Sequence, residues 1–132
     1  MKQLKFIPVL FFAVCFSNII LAQPTEPAKF HLIELDADAP CFAKTIRIDV
    51  AVDDTIQFKT INGDFAIYII NAADFLPIKE QNLGFVINSA DDVSDSYVVR
   101  EPINDQVFYC SIFCISTLSW PDAPPRIIVM SK

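Results

Sequence analysis

The chain has 132 residues, with 16 acidic side chains against 10 basic ones and a formal net charge of −6. That balance excludes a phosphate-tracking surface for nucleic acid, which needs a basic footprint, and it offers no attraction to an anionic membrane. With a single histidine, two glycines and no phosphate-cradling loop, the composition also argues against an enzyme.

Met1-Lys2-Gln3-Leu4-Lys5 leads into an apolar run from Phe6 to Leu21, closed by Ala22-Gln23. A basic start, a hydrophobic middle and a small final residue describe a secretory signal peptide. The run is about 16 residues and contains Pro8, Ser17 and Asn18, short of the roughly 20 apolar residues that a spanning helix needs. Residues 1–22 are therefore expected to be a cleaved leader, sending the rest to the periplasm or the medium with no membrane attachment. Phe12-Ala13-Val14 is a poor lipidation box before Cys15, so no lipid anchor is expected. Cleavage leaves 110 of the 132 residues, enough for one packed domain. Loss of Lys2 and Lys5 takes the net charge from −6 to −8.

Gln23 to Lys29 holds Pro24 and Pro27 and reads as a flexible lead-in, with the domain proper over 30–132. From Phe30 the dominant period is two. His31, Ile33 and Leu35 share one face of a first strand. Ile46, Ile48, Val50 and Val52 point inward on the next, with Arg47 and Asp49 outward. Asp53-Asp54 makes a turn, and Thr55 to Lys59 alternates again. Asn62-Gly63 predicts a tight hairpin turn before a strand over Phe65–Ile70. Pro77 forbids a central strand in the irregular stretch that follows, and Phe85-Val86-Ile87 is a short strand. Asp91, Asp92 and Asp95 form an acidic loop without the glycine and terminal glutamate of a calcium site. Ser96–Arg100 and Gln106–Cys110 are strands, Ser111–Pro125 a loop, and Arg126–Met130 the last strand. About eight short strands and no helix predict an all-β Greek-key sandwich or barrel.

Cys41, Cys110 and Cys114 survive cleavage, and an oxidising compartment favours a disulfide between two of them. Which two is left open by the sequence.

Three passages resemble the cupredoxin family of blue-copper sandwiches. Ile48 to Phe58 resembles its strand–turn–strand unit, with Asp53 where glycine is usual. Ser96-Tyr97-Val98-Val99 followed by Val107-Phe108-Tyr109-Cys110-Ser111 resembles the approach to the copper-binding cysteine. Pro124-Pro125-Arg126-Ile127-Ile128-Val129 resembles the closing strand. The resemblance implies a site of two imidazoles, a thiolate and a thioether. On that register Cys110 keeps its identity, while Phe65, Phe113 and Leu118 occupy the other three positions. Cys110-Ser111-Ile112-Phe113-Cys114 also resembles the Cys-x3-Cys loop of the binuclear-copper domains of cytochrome oxidase subunit two and nitrous oxide reductase. There the following histidine and methionine correspond to Leu118 and Pro121. His31 lies outside either loop, and Met130 reads as core filler.

The resemblance thus implies an exported cupredoxin-like module whose copper site has degenerated, with Phe65, Phe113 and Leu118 packed beside Cys110. No cofactor is expected, and the role implied is binding a protein partner or structural support. Two alternatives stand beside it. One is copper binding or electron transfer through Cys110 and Cys114, since soft thiolates suit Cu(I). The other is an immunoglobulin-like adhesion or assembly domain. Strand order separates them, because cupredoxins set their first strand beside a parallel partner.

Overall fold

A computed structural model describes residues 26–89, 93–104 and 106–130. The expected leader, the start of the lead-in and both Asp91 and Asp92 lie outside these residues. Eight strands appear among the described residues: β1 (Phe30–Asp36), β2 (Arg47–Ala51), β3 (Thr55–Asn62), β4 (Phe65–Ile69), β5 (Leu83–Ile87), β6 (Tyr97–Val98), β7 (Val107–Cys114) and β8 (Arg126–Met130). A single 3-10 turn, Ala72–Asp74, interrupts them, entered through Asn71 in the left-handed region. No described helix is long and apolar enough to cross a membrane.

The strands form two sheets, one in the order β1-β3-β6 and one in the order β2-β8-β7-β4-β5. Period-two patterning decides which face each strand buries. Ile33 and Leu35 of β1, Ile48 and Val50 of β2, and Ile56 and Phe58 of β3 all point into one core. Phe65, Ile67 and Ile69 of β4 and Ile127 and Val129 of β8 join those of β2 on the five-stranded sheet and meet β1 and β3 across the core. Each such side chain contributes roughly 1.5–3 kcal/mol by leaving water. Phe75 stacks on Phe108 with ring centroids 4.0 Å apart. Ile46 departs from the expected pattern: it precedes β2 and is exposed.

Two strand pairings are parallel. β1 runs beside β3 from Phe30↔Thr55, and β2 runs beside β8 from Arg47↔Arg126. An all-antiparallel immunoglobulin-like sandwich has no such pair, so that alternative is set aside.

Asn62-Gly63 does not close a hairpin. β3 pairs with β1 and β6, whereas β4 pairs with β5 and β7. Only Gly63 of the two has a positive φ, +93°, whereas the expected turn needs both residues there. The chain turns a corner between sheets instead. A methyl group on Gly63 would stand 2.9 Å from Ala37 Cβ, so the close approach requires glycine. Asp53, in the position where the family has glycine, takes a φ of +76°. The expected Ser96–Arg100 strand shortens to Tyr97–Val98, while the Gln106–Cys110 strand lengthens to reach Cys114. That second change decides the chemistry.

Candidate functional site

β7 pairs with β4 along its whole cysteine segment, Cys110 opposite Ile69 and Cys114 opposite Phe65. The Cys-x3-Cys passage is therefore strand and not loop. Its sequence permits this, since Phe108, Cys110, Ile112 and Cys114 alternate onto the buried face. Residues four apart on one strand face stand about 13 Å apart. No disulfide can span that distance, because bridged Cα atoms lie within about 7 Å. Nor can the two sulfurs share one ion, with metal–sulfur bonds of about 2.3 Å. Cys41, Cys110 and Cys114 are all free thiols here, correcting the expected disulfide. Burial pushes the Cys110 thiol up to about 12, so it stays protonated at neutral pH.

The three positions implied by the copper resemblance do not converge. Phe65 is fully buried, but beside Cys114 in register and not Cys110. Phe113 lies on the opposite face of β7, where its ring meets Trp120 at 5.0 Å. Leu118 is 78% exposed in the turn that Cys114 and Ser119 close with reciprocal backbone bonds, and its φ is +51°. No single pocket holds them. Among the described residues no three His, Cys, Asp or Glu side chains gather as a metal would need. The donor set does not fit copper.

The best-satisfied polar cluster lies elsewhere, at the start of β1. Asp54, 3% exposed, accepts the backbone N–H of Lys29 at 2.7 Å and of Ala51 at 2.9 Å. Its Oδ2 also meets His31 Nε2 at 2.6 Å. The nitrogen is read as the donor, because an ionised carboxylate only accepts. Burial pushes the Asp54 carboxyl up, but the bonds from Ala51, Lys29 and His31 outweigh it and hold the group below its ordinary value. Its backbone is engaged too, with Val99 N–H donating to Asp54 O at 2.7 Å. The cluster pins the β2–β3 turn, the entry to β1 and the segment after β6 together. It is a structural clamp. Sequence alone places Asp53-Asp54 in a turn, and nothing in those two residues shows that the Asp54 carboxylate is buried. The alternation of His31 with Ile33 and Leu35, which aims the ring at the same side, was the one available signal.

The parallel first strand fits one of the two sandwich types that the sequence left open. The fold is cupredoxin-like. Similar solved structures are an amicyanin variant in its Cu(I) form, at 12% identity and a TM-score of 0.48, covering 76% of this chain and 81% of that one. A second amicyanin variant, a reduced Cu(I) form at pH 4, has 12% identity and a TM-score of 0.48, covering 83% and 88%. Auracyanin B has 12% identity and a TM-score of 0.47, covering 80% and 91%. No protein-family model matches the chain, and no curated protein matches it.

The outer face of β7 is the other distinctive surface. Tyr109 and Trp120 stand largely exposed, and Pro124 separates two shallow clefts of about 200 and 220 Å³. One is lined by Ser111, Trp120 and Pro121, the other by Ile46, Tyr109 and Arg126.

Proposed function

We propose that this chain is an exported cupredoxin-like domain without a copper centre, serving as a non-catalytic binding or structural module in the periplasm or the medium. One observation carries the reading. Cys110 and Cys114 sit on the buried face of one continuous strand, four residues apart, where neither a shared ion nor a ligand loop is possible. The His31–Asp54 bond supports it, since it commits the domain's one histidine to holding the fold. Phe65, Phe113 and Leu118 lie on different faces, against the expectation that they fill a former copper pocket beside Cys110, so a relic of a metal site is no part of this reading.

Anaerobic titration of the mature chain, residues 23–132, with Cu(I) and then Cu(II) tests the reading. Desalted protein is expected to retain far less than one copper per chain and to show no thiolate-to-copper absorption. Stoichiometric copper with that absorption would overturn it in favour of electron transfer or copper carriage. N-terminal sequencing of the exported protein is expected to begin at Gln23.

A further inference from the structure

Among the described residues the two sheets end in four edge strands, β1, β6, β2 and β5, and three of these are guarded. β1 bonds to Lys44 and Phe42 near one end, and its lead-in bonds to Asp54 at the other. β2 carries the charged pair Arg47 and Asp49, and β6 is two residues long. Cover, charge and shortness are the devices by which natural sheets avoid pairing with other chains. β5 (Leu83–Ile87) has neither cover nor charge, and from Gln81 to Ala90 the sequence holds no charged residue and no proline.

Register shows which backbone groups of β5 are free. Ile115 N donates to Asp64 O in the register that sets Cys114 opposite Phe65. Bonding alternates along an antiparallel pair. Ala66 and Tyr68 of β4 therefore bond to β7, while Phe65, Ile67 and Ile69 bond to Ile87, Phe85 and Leu83 of β5. That leaves the N–H and C=O groups of Gly84 and Val86 on the outer edge of β5, with no partner among the described residues. Both residues are exposed. Gly84 has no side chain, so its exposure is that of the main chain itself. Tyr68 already covers its outer face, with Cδ2 3.1 Å from where a Cβ would stand, so the opening lies along the edge. Phe85 packs edge-on against Phe58 and fixes the strand from inside.

We propose that two copies of this chain join through β5, edge to edge and antiparallel, in a two-fold dimer with one continuous sheet. An axis through Phe85 sets Gly84 of each copy opposite Val86 of the other. Each pair exchanges N–H···O=C bonds in both directions, the close pairing of an antiparallel ladder. Every free group of Gly84 and Val86 is then satisfied at once. The side chains match as well. Val86, 59% exposed, stands opposite the residue without a side chain and against the Tyr68 ring that lies over it. Such self-complementarity is what an isologous interface requires, and it favours a second copy over an unrelated strand. The mature charge of −8 opposes association, but the seam is uncharged and salt screens exposed charges beyond about 8 Å. Pairing uses up the one unguarded edge among the described strands, so assembly stops at two.

Sedimentation of residues 23–132 from about 10 μM to about 1 mM tests the proposal. The expected result is monomer at the low end and dimer at the high end, since so short a seam makes a weak interface. Amide exchange at Gly84 and Val86 is expected to slow several-fold over that range, with Leu83, Phe85 and Ile87 changing less. In a sample mixed from labelled and unlabelled protein, Val86 methyl groups of one copy are expected to contact Gly84 of the other. Val86→Pro removes an edge N–H without touching a bond to β4, a substitution that edge strands tolerate. It is expected to fold and to weaken dimerisation about tenfold or more. Monomer throughout, growth beyond two copies, amide protection centred on Tyr109 and Trp120, or undiminished dimerisation of Val86→Pro would overturn the proposal. Should the variant fail to fold, the amide pattern of the unaltered protein decides. Copper titration reads none of these outcomes, so failure here and failure of the metal-free reading are distinguishable.

Discussion

His31 Nε2 and Asp54 Oδ2 meet at 2.6 Å across the entry to β1, joining residues that stand 23 apart in the chain. The carboxylate they share with the amides of Lys29 and Ala51 is almost fully buried. Replacing it leaves those donors stranded.

Asp54→Ala is expected to cost about 2–4 kcal/mol in urea unfolding, since buried donors without acceptors are expensive. The pH dependence follows from the direction of the carboxyl's shift. Its folded value lies below the ordinary 3.8, so its stabilisation is complete above the unfolded value near ~3.9. It is lost as pH falls through the lower folded value. Asp54→Asn should flatten that part of the stability profile between neutral pH and about pH 3.

Thiol reactivity reports the continuous strand directly. Cys110 and Cys114 are buried, and Cys110 is held protonated, whereas Cys41 is half-buried in a loop. A disulfide-exchange reagent at pH 8 should find one fast thiol in the folded mature protein and three after denaturation. Cys110→Ser should leave the fast class unchanged.

Grafting a copper site onto the positions implied by the family resemblance should fail. The triple variant Phe65→His, Phe113→His and Leu118→Met would place one imidazole in the core, one on the outer face and the thioether in solvent. Copper addition is expected to produce no intense blue absorption. Phe65→His alone should lower stability by about 3–5 kcal/mol, through lost burial and an imidazole without a partner.

Two of the corners with positive φ, at Leu118 and Gly63, answer to opposite substitutions. Leu118, exposed at φ +51°, pays for a left-handed conformation that glycine adopts freely. Leu118→Gly is expected to stabilise by about 0.5–1 kcal/mol after the entropy of the freer unfolded chain is counted. Gly63→Ala is expected to destabilise by about 2 kcal/mol, combining a φ of +93° with the contact at Ala37. Thermal melts of both variants give the two signs.

The elements were largely legible in the residues, and their partners were not. Ile48 and Val50 alternate so cleanly with Arg47 and Asp49 that β2 could be placed from pattern alone. Asn62-Gly63 announced a turn correctly, yet local chemistry cannot tell a hairpin from a corner between sheets; that depends on β1 claiming the edge of β3. The cysteine passage misled for a similar reason. Ser111-Ile112-Phe113-Cys114 continues the period-two pattern of Val107 to Cys110, and reading it as a ligand loop let family likeness override periodicity. Asp54 was missed because burial of a carboxylate is settled by donors from Lys29 and His31, distant in the chain.

The position of β8 has a consequence for the order of events during synthesis. Arg126–Met130 lies between β2 and β7 in the larger sheet and is the parallel neighbour of β2. A polypeptide emerging amino end first cannot seat its second strand until Arg126–Met130 has been made. Until then β2 has no strand partner, and pairing across such long sequence separations is slow. The nascent chain stays open until β8 emerges, and a premature stop shortly before Arg126 would leave β2 without its neighbour and β7 with a bare flank.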